Sequence, residues 1–276
     1  MKRSGRGFRF GPLPFSAGRR SLRGPAGLPV RETGSMEKGD AGRIGGVAVI
    51  VAAGGSGTRM GGSRAKQYLP LGGIPLIVHV LRRFQECPLV GKILLVVPGG
   101  DIPFVREEIL DKYEVAAIAS VTAGGRERQD SVRNGLSLTG EGDGIVLVHD
   151  GARPFVTPAL IEAVIRVAGE TGAVCPGIPL RDTVKSAGDD GLVSKTLDRN
   201  RLWAVQTPQG FRREVLLEAF RRAGEDGFYG TDEASLVERT GRPVRIIRGA
   251  EENIKITTPE DLLLGEYLLN RRGRVS

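Results

Sequence analysis

The sequence predicts an α/β fold in which helices cover both faces of a doubly wound, mostly parallel sheet, with a β-hairpin arm that projects from it. After residue 43, apolar runs of strand length alternate with segments of helical periodicity. These runs are apolar throughout, as is typical of strands that are buried on both faces. One polar segment with a strong hairpin signal interrupts the alternation and predicts the arm.

The first strands and helices follow from this alternation. Strands are predicted at residues 47–53, 93–97 and 145–148. A helix between the first two strands has its apolar face at Ile77, Val80, Leu81 and Phe84. The third strand precedes another helix, for which Thr157 is the predicted N-cap and Pro158 the first helical residue.

The arm is predicted at about residues 181–205. Its sequence, "RDTVKSAGDDGLVSKTLDRNRLW", alternates polar and apolar residues around Asp190 and Gly191, which favours a hairpin. A two-stranded ribbon is marginally stable alone. We therefore expect the arm to pack on a second copy of the chain.

The carboxyl-terminal third ends in a strand and a helix. Lys255, in "EENIKIT", is predicted on a strand that returns to the sheet. A final helix follows Thr258 as its cap, with acidic residues in its first turn and arginines in its last. Earlier in the chain, Asp232 and Glu233 open another helix, where capping and the helix dipole explain acidic residues.

The net charge of +8 is concentrated at the amino terminus, where residues 1–35 carry +7 of it. The rest of the chain is nearly neutral and lacks the basic field that drives nonspecific binding to a phosphate backbone. No apolar run approaches the roughly 20 residues of a membrane-spanning helix. We therefore expect neither a nucleic acid nor a membrane as a partner.

Residues 1–43 are predicted to form a disordered basic extension, because they are rich in Arg, Gly, Pro and Ser and lack periodicity. Residues 44–276 are predicted to form one domain. A true start at Met36 would give a cytoplasmic protein, whereas a transit peptide would direct it to an organellar stroma. Cys87 and Cys175 stand apart among apolar residues, which favours buried thiols in a reducing compartment.

A glycine-rich turn follows the first strand, in "VAVIVAAGGSGTRMGGSRAKQYLPLGG". Met60 stands where a dinucleotide fingerprint requires its third glycine, and the Gly-Lys-Ser/Thr of a Walker loop is absent. A backbone nest for a phosphate remains. Arg59 and Lys66 follow at the carboxyl edge of the sheet, where ligands of such folds bind, and they are candidates to hold that anion.

Asp150 ends the strand "IVLVHD", so its carboxylate emerges at the same edge. It either caps the turn that follows or offers a hard oxygen ligand to Mg²⁺ beside bound phosphates. His149 is predicted to point to the opposite face of the strand and to be structural.

The first motif, "AAGGSGTRMGGSRAKQYLPLGG", resembles the signature of the 2-C-methyl-D-erythritol 4-phosphate cytidylyltransferases, a family of nucleotidyltransferases with a Rossmann-like fold. The resemblance covers about residues 45–270 in the order and spacing of that family. Ala65 departs from it, because proline usually precedes the lysine. Six further motifs carry the match: "GGRERQDSVRNGL", "VLVHDGARPFV", "PLRDTVK", "LDRNRLWAVQTPQGF", "TDEASLVE" and "ENIKITTPEDL".

The resemblance implies that the chain transfers a cytidylyl group from CTP to 2-C-methyl-D-erythritol 4-phosphate. The products are 4-diphosphocytidyl-2-C-methyl-D-erythritol and pyrophosphate, in isoprenoid precursor synthesis. It implies Mg²⁺ as the cofactor, with Asp150 as its ligand, and a homodimer formed through the arm. The implied catalytic residues are Arg59, Lys66 and Lys255. The implied CTP-binding residues are Ala52, Ala53, Gly54, Gly57, Gly125 and Ser131, and those for the acceptor are Arg153, Thr183, Arg199 and Thr207.

In this interpretation an oxygen of the acceptor phosphate attacks the α-phosphorus of CTP. That oxygen is already anionic at neutral pH, so no general base is required. The nearest alternative is a cytidylyltransferase for another polyol phosphate, such as ribitol 5-phosphate. A noncatalytic nucleotide sensor and a nicotinamide-dependent reductase are the alternatives from other classes.

Overall fold

The structure is a computed structural model that describes residues 45–54, 65–115 and 118–273. These residues form an eight-stranded central sheet and two small two-stranded sheets. The central strands are β1 (Gly46–Ala52), β4 (Lys92–Val97), β5 (Ile118–Ala123), β6 (Asp143–Asp150), β7 (Ala173–Pro179), β10 (Trp203–Val205), β11 (Gln209–Arg212) and β12 (Arg245–Arg248). The small sheets pair β2 (Pro70–Leu71) with β3 (Ile74–Pro75), and β8 (Lys185–Ala187) with β9 (Val193–Thr196).

The central sheet confirms the predicted doubly wound, mostly parallel arrangement. Its strand order is β5-β4-β1-β6-β11-β7, and β10 and β12 also pair with β7. Strand β1 runs parallel to both neighbours, with Ala52 opposite Val96 on one side and Asp150 on the other. The carboxyl ends of β1, β4 and β6 therefore meet at one edge. Strands β10 and β11 run antiparallel to β7.

Helices cover both faces of the sheet. They are α1 (Leu76–Gln85), α2 (Ile102–Phe104, continued by a π-helical segment, Val105–Asp111), α3 (Arg128–Leu136), α4 (Pro158–Thr171), α5 (Arg213–Glu225), α6 (Glu233–Arg239) and α7 (Pro259–Gly273). Along β1, Val49 and Val51 belong to one apolar core and Ala48 and Ile50 to another. Because alternate residues of a strand face opposite sides, this division shows that both faces of β1 are buried.

The predicted helix starts are confirmed. Thr157 is the N-cap of α4, and its hydroxyl accepts a hydrogen bond from the N–H of Leu160 at 3.3 Å. Thr258 accepts a bond in the same way from the N–H of Asp261 at the start of α7, also at 3.3 Å.

The arm is confirmed as a hairpin, with β8 antiparallel to β9 and Gly191 in the left-handed region at φ 78°. Its strand residues are exposed. The arm is shorter than predicted, because Trp203–Val205 pair with β7 in the central sheet.

The predicted strand at Lys255 is wrong. Residues 253–257 form no strand. The segment instead binds the turn after β6, where the N–H of Ile256 donates to the carbonyl oxygen of Ala152 at 2.8 Å.

Other predictions concern the extension, the thiols and the membrane. The predicted disordered extension, residues 1–43, lies outside the described residues. Both cysteines are buried free thiols, as expected. Within the described ranges, no helix combines the length and apolar character needed to cross a membrane.

Candidate active site

A cleft of about 300 Å³ opens where β1 and β6 end. This is the edge at which ligands of doubly wound sheets bind. The structure brings eight of the predicted site residues together here, and they line the cleft: Ala52, Ala53, Gly54, Lys66, Gly125, Ser131, Asp150 and Lys255. Two other predicted residues, Gly57 and Arg59, lie outside the described residues.

Asp150 lies at the centre of a group of cations. Its Oδ1 is 3.1 Å from Nε of Arg128, and its Oδ2 is 2.9 Å from Nζ of Lys255 and 3.5 Å from Nε of Arg153. Burial alone would raise the pKa of the Asp150 carboxyl, but the three cations outweigh it and hold that pKa well below its ordinary value. Asp150 is therefore a carboxylate at neutral pH.

Arg128 joins the first turn of α3 to two carboxylates. Besides Asp150, it contacts the buried Glu233, with Nη1 2.7 Å from Oε1. Burial opposes the charge of Arg128, but Glu233 and Asp150 raise its pKa above the ordinary value. From the sequence, capping and the helix dipole explained the acidic residue Glu233 at the start of its helix, and Arg128 was not identified as a site residue. The cap of α6 is Asp232 alone, which accepts from the N–H of Ser235 at 2.9 Å.

A buried hydrogen-bond chain fixes the backbone of Asp150. The N–H of Asp150 donates to Oγ1 of Thr207 at 3.1 Å, and that hydroxyl is 3.1 Å from Nδ1 of His149. Nε2 of His149 faces the carbonyl oxygen of Arg153 at 3.1 Å. Burial lowers the pKa of His149 to about 4, so its ring is neutral at pH 7. His149 is therefore structural, as predicted, and Thr207 links its ring to the backbone of Asp150.

The opposite wall of the cleft is the loop before α3. Oγ of Ser131 accepts the N–H of Gly125 and donates to the carbonyl oxygen of Glu127, both at 3.1 Å. A Cβ added to Gly125 would lie 2.3 Å from Cβ of Asp130, so only glycine fits there. This wall therefore presents the backbone of Gly125 and the small hydroxyl of Ser131 beside the charged residues Arg126, Glu127 and Arg128.

Lys66 begins a 3₁₀ turn, Lys66–Tyr68, that is hydrogen-bonded to the residue after β1. In this bond, Nε2 of Gln67 donates to the carbonyl oxygen of Ala53 at 2.7 Å. Gln67 also lines the cleft. No signal in the sequence indicates this position of Gln67, because a buried glutamine cannot be distinguished from an exposed one by residue type.

A second cleft of about 250 Å³ adjoins the first and shares Arg128, Asp150 and Lys255 with it. Arg153 and Thr207, two predicted acceptor-binding residues, line it. The buried Nε of Arg153 makes no hydrogen bond with a described residue.

The structure does not bring Thr183 and Arg199 to either cleft of the same chain. Both are exposed at the base of the arm, and Nη1 of Arg199 donates to the carbonyl oxygen of Arg181 at 2.6 Å. Neither is among the described residues that line the two clefts.

The fold and the charged clefts at the carboxyl edge of the sheet agree with the nucleotidyltransferase class that the sequence motifs indicate. A sequence profile of the 2-C-methyl-D-erythritol 4-phosphate cytidylyltransferases matches residues 47–271. The chain belongs to this family. The relative of that name from Syntrophus aciditrophicus is 52% identical, and the alignment covers 83% of this chain and 98% of the relative. The relative from Symbiobacterium thermophilum is 48% identical, with 83% of this chain and 94% of the relative covered.

Solved structures agree with the family in fold. The chain is similar to 4-diphosphocytidyl-2C-methyl-D-erythritol synthase from Anaerococcus prevotii, with a TM-score of 0.74, 30% identity and coverage of 83% of this chain and 99% of that one. It is also similar to the cytidylyltransferase from Thermus thermophilus, with a TM-score of 0.67, 32% identity and coverage of 82% and 99%. The chain is therefore a cytidylyltransferase that uses CTP and 2-C-methyl-D-erythritol 4-phosphate in isoprenoid synthesis.

Proposed function

We propose that the chain catalyses this transfer by holding both substrates among fixed cations at the edge of the sheet. The observation that supports this best is that the two clefts share Arg128, Asp150 and Lys255. Substrates in adjoining clefts meet at shared side chains. CTP occupies the larger cleft, with its base against Gly125 and Ser131, and the acceptor phosphate occupies the smaller one.

The chemistry requires charge neutralisation rather than a general base. An anionic oxygen of the acceptor phosphate attacks the α-phosphorus of CTP, a P–O bond forms, and the bond to the β-phosphate breaks to release pyrophosphate. Both reactants are anions and repel each other. Lys66, Lys255 and Arg153 lower this repulsion and stabilise the charge that accumulates on the α-phosphate, which is how fixed charges accelerate such transfers. Arg59 belongs to the same set of proposed cations.

Asp150 is suited to hold one Mg²⁺ ion. Its carboxylate is 9% exposed, is ionised at neutral pH and faces the nucleotide cleft. Mg²⁺ typically binds through one or two carboxylates together with substrate phosphates, so a single protein ligand is enough. When bound, the ion supplies positive charge to the triphosphate and helps to orient it. Arg128, which contacts Oδ1, keeps the carboxylate in place.

The arm is the proposed dimer contact. It exposes Leu192 and Val193, with relative exposures of 70% and 59%, at the hairpin tip. Such apolar side chains favour burial against another surface. In a twofold dimer, Thr183 and Arg199 of one subunit would complete the acceptor cleft of the other, since among the described residues they line neither cleft of their own chain.

A pyrophosphate-release assay tests the activity and the acceptor. The nucleotides are CTP, UTP, ATP and GTP, and the acceptors are 2-C-methyl-D-erythritol 4-phosphate and ribitol 5-phosphate. We expect release only with CTP and the methylerythritol phosphate. Faster release with ribitol 5-phosphate would assign a different acceptor, and CTP binding without release would indicate a sensor.

Subunit complementation tests the shared site. Lys66→Ala and Arg199→Met proteins are each assayed alone and after being unfolded and refolded together. If Arg199 acts across the interface, a mixed dimer has one site with both changes and one with neither. The mixture then recovers about a quarter of wild-type activity, because about half of the dimers are mixed. Activity no higher than the average of the two variants would refute the shared site.

A further inference from the structure

Arg128 lies where the two clefts join. It lines both of them, and 33% of its side chain remains exposed. The cytidylyl group is transferred through its α-phosphorus, which must lie where the two substrates meet. A side chain at the junction is therefore close to the phosphorus that reacts.

Two carboxylates fix the guanidinium of Arg128 in one orientation. Nε is bonded to Asp150 at 3.1 Å, and Nη1 to Glu233 at 2.7 Å. Glu233 is only 1% exposed, and a buried carboxylate is costly unless it is paired. The third nitrogen, Nη2, makes no hydrogen bond with a described residue. An arginine held in this way keeps a donor available and loses little entropy when it binds an oxyanion.

We propose that Arg128 is a further catalytic residue, which donates through Nη2 to an oxygen of the transferred α-phosphate, and that Glu233 is the positioning residue that holds it there. This inference rests on the proposed function. The contact strengthens as negative charge accumulates on the α-phosphate, so it acts mainly on the transition state. Glu233 holds the guanidinium through Nη1, a contact that is separate from the one to Asp150.

The test compares Arg128→Met and Arg128→Lys with the wild type in single-turnover pyrophosphate release and in CTP binding by calorimetry. We expect Arg128→Met to lower the transfer rate at least about a hundredfold, while the Kd for CTP changes by less than about threefold. The transfer rate of Arg128→Lys is expected to stay at least about tenfold below that of the wild type, because an ammonium group cannot replace the planar set of donors of a guanidinium. A normal transfer rate with only weaker CTP binding would overturn the catalytic role.

The activity of the wild-type protein distinguishes a failure of this inference from a failure of the proposed function. A wild-type protein that releases no pyrophosphate from any substrate pair refutes the function itself. A fully active wild type together with a fully active Arg128→Met refutes only the role of Arg128. Arg133→Met is the matched control, since Arg133 lies on the same helix, is exposed and pairs with Asp130 at 2.8 Å.

Glu233 is tested by a double-mutant cycle. Arg128→Met alone leaves a buried unpaired charge, so Arg128→Met/Glu233→Gln removes the charge as well and keeps the core folded. If Glu233 acts through Arg128, Glu233→Gln lowers the transfer rate in the wild type but not in the Arg128→Met background. Equal losses in both backgrounds, accompanied by a lower Tm, would show a structural role only.

Discussion

Thr207→Val isolates the buried chain that holds the backbone of Asp150. Nε2 of His149 faces a carbonyl oxygen, which can only accept, so Nε2 carries the proton and Nδ1 is the acceptor. The hydroxyl of Thr207 therefore donates to Nδ1 and accepts from the N–H of Asp150. Valine has the same shape without the hydroxyl, and Thr207 is only 6% exposed.

The expected cost comes from two buried polar groups that lose their partners. At about 1.5 kcal/mol for each group, Thr207→Val lowers the free energy of unfolding by about 3 kcal/mol. For a domain of this size, that corresponds to a decrease in Tm of about 6–12 °C. Thr207→Ser, which keeps the hydroxyl, is the matched control and is expected to lose less than about 1 kcal/mol.

Urea denaturation followed by circular dichroism measures both variants. We expect a lower midpoint for Thr207→Val with an unchanged m value, which marks a change in stability rather than in the denatured state. A Thr207→Val protein within about 0.5 kcal/mol of wild type would refute the hydrogen-bond chain, since that is the scale of an ordinary surface substitution.

Three further predictions concern the rest of the chain. Gly125→Ala places Cβ 2.3 Å from Cβ of Asp130, so the loop before α3 must move. We expect the KM for CTP to rise and the free energy of unfolding to fall by about 1–3 kcal/mol, and unchanged kinetics would contradict this. Ala65 has φ −61° and ψ 139°, angles that proline adopts, so Ala65→Pro is expected to add about 0.4–1 kcal/mol in urea denaturation, and a loss would contradict it. Burial raises the pKa of both thiols, that of Cys175 to about 12, so neither Cys87 nor Cys175 should react with a thiol reagent at pH 8 before unfolding; fast native labelling would show that one is accessible.

The sheet could be predicted because its signal is local. An uninterrupted apolar run such as that of β1 indicates burial on both faces, and β1 indeed contributes to both cores. Asp150 could be found for a related reason. A carboxylate that ends a buried strand just before a Gly-containing turn must emerge at the carboxyl edge of the sheet.

The charge network around Asp150 could not be predicted, because its contacts are distant in sequence. Arg128 and Glu233 are 105 positions apart, and each alone resembles an ordinary residue in the first turn of a helix. At Lys255, by contrast, a local pattern led to a wrong prediction of secondary structure. Its local alternation suggested a strand, but strand pairing depends on which segment occupies the sheet, and β12 pairs with β7 instead.

In the proposed mechanism, positive side chains that line the two clefts accelerate transfer by stabilising charge on the α-phosphate. Lys66→Ala tests it most directly, with saturating CTP and 2-C-methyl-D-erythritol 4-phosphate in a single-turnover experiment. Lys112→Ala serves as the control, because the Lys112 side chain is exposed and its ion pair among the described residues is with Glu108 at 3.8 Å. We expect Lys66→Ala to lower the transfer rate at least about a hundredfold, with CTP binding little changed. A near-normal transfer rate with only weaker CTP binding would contradict it.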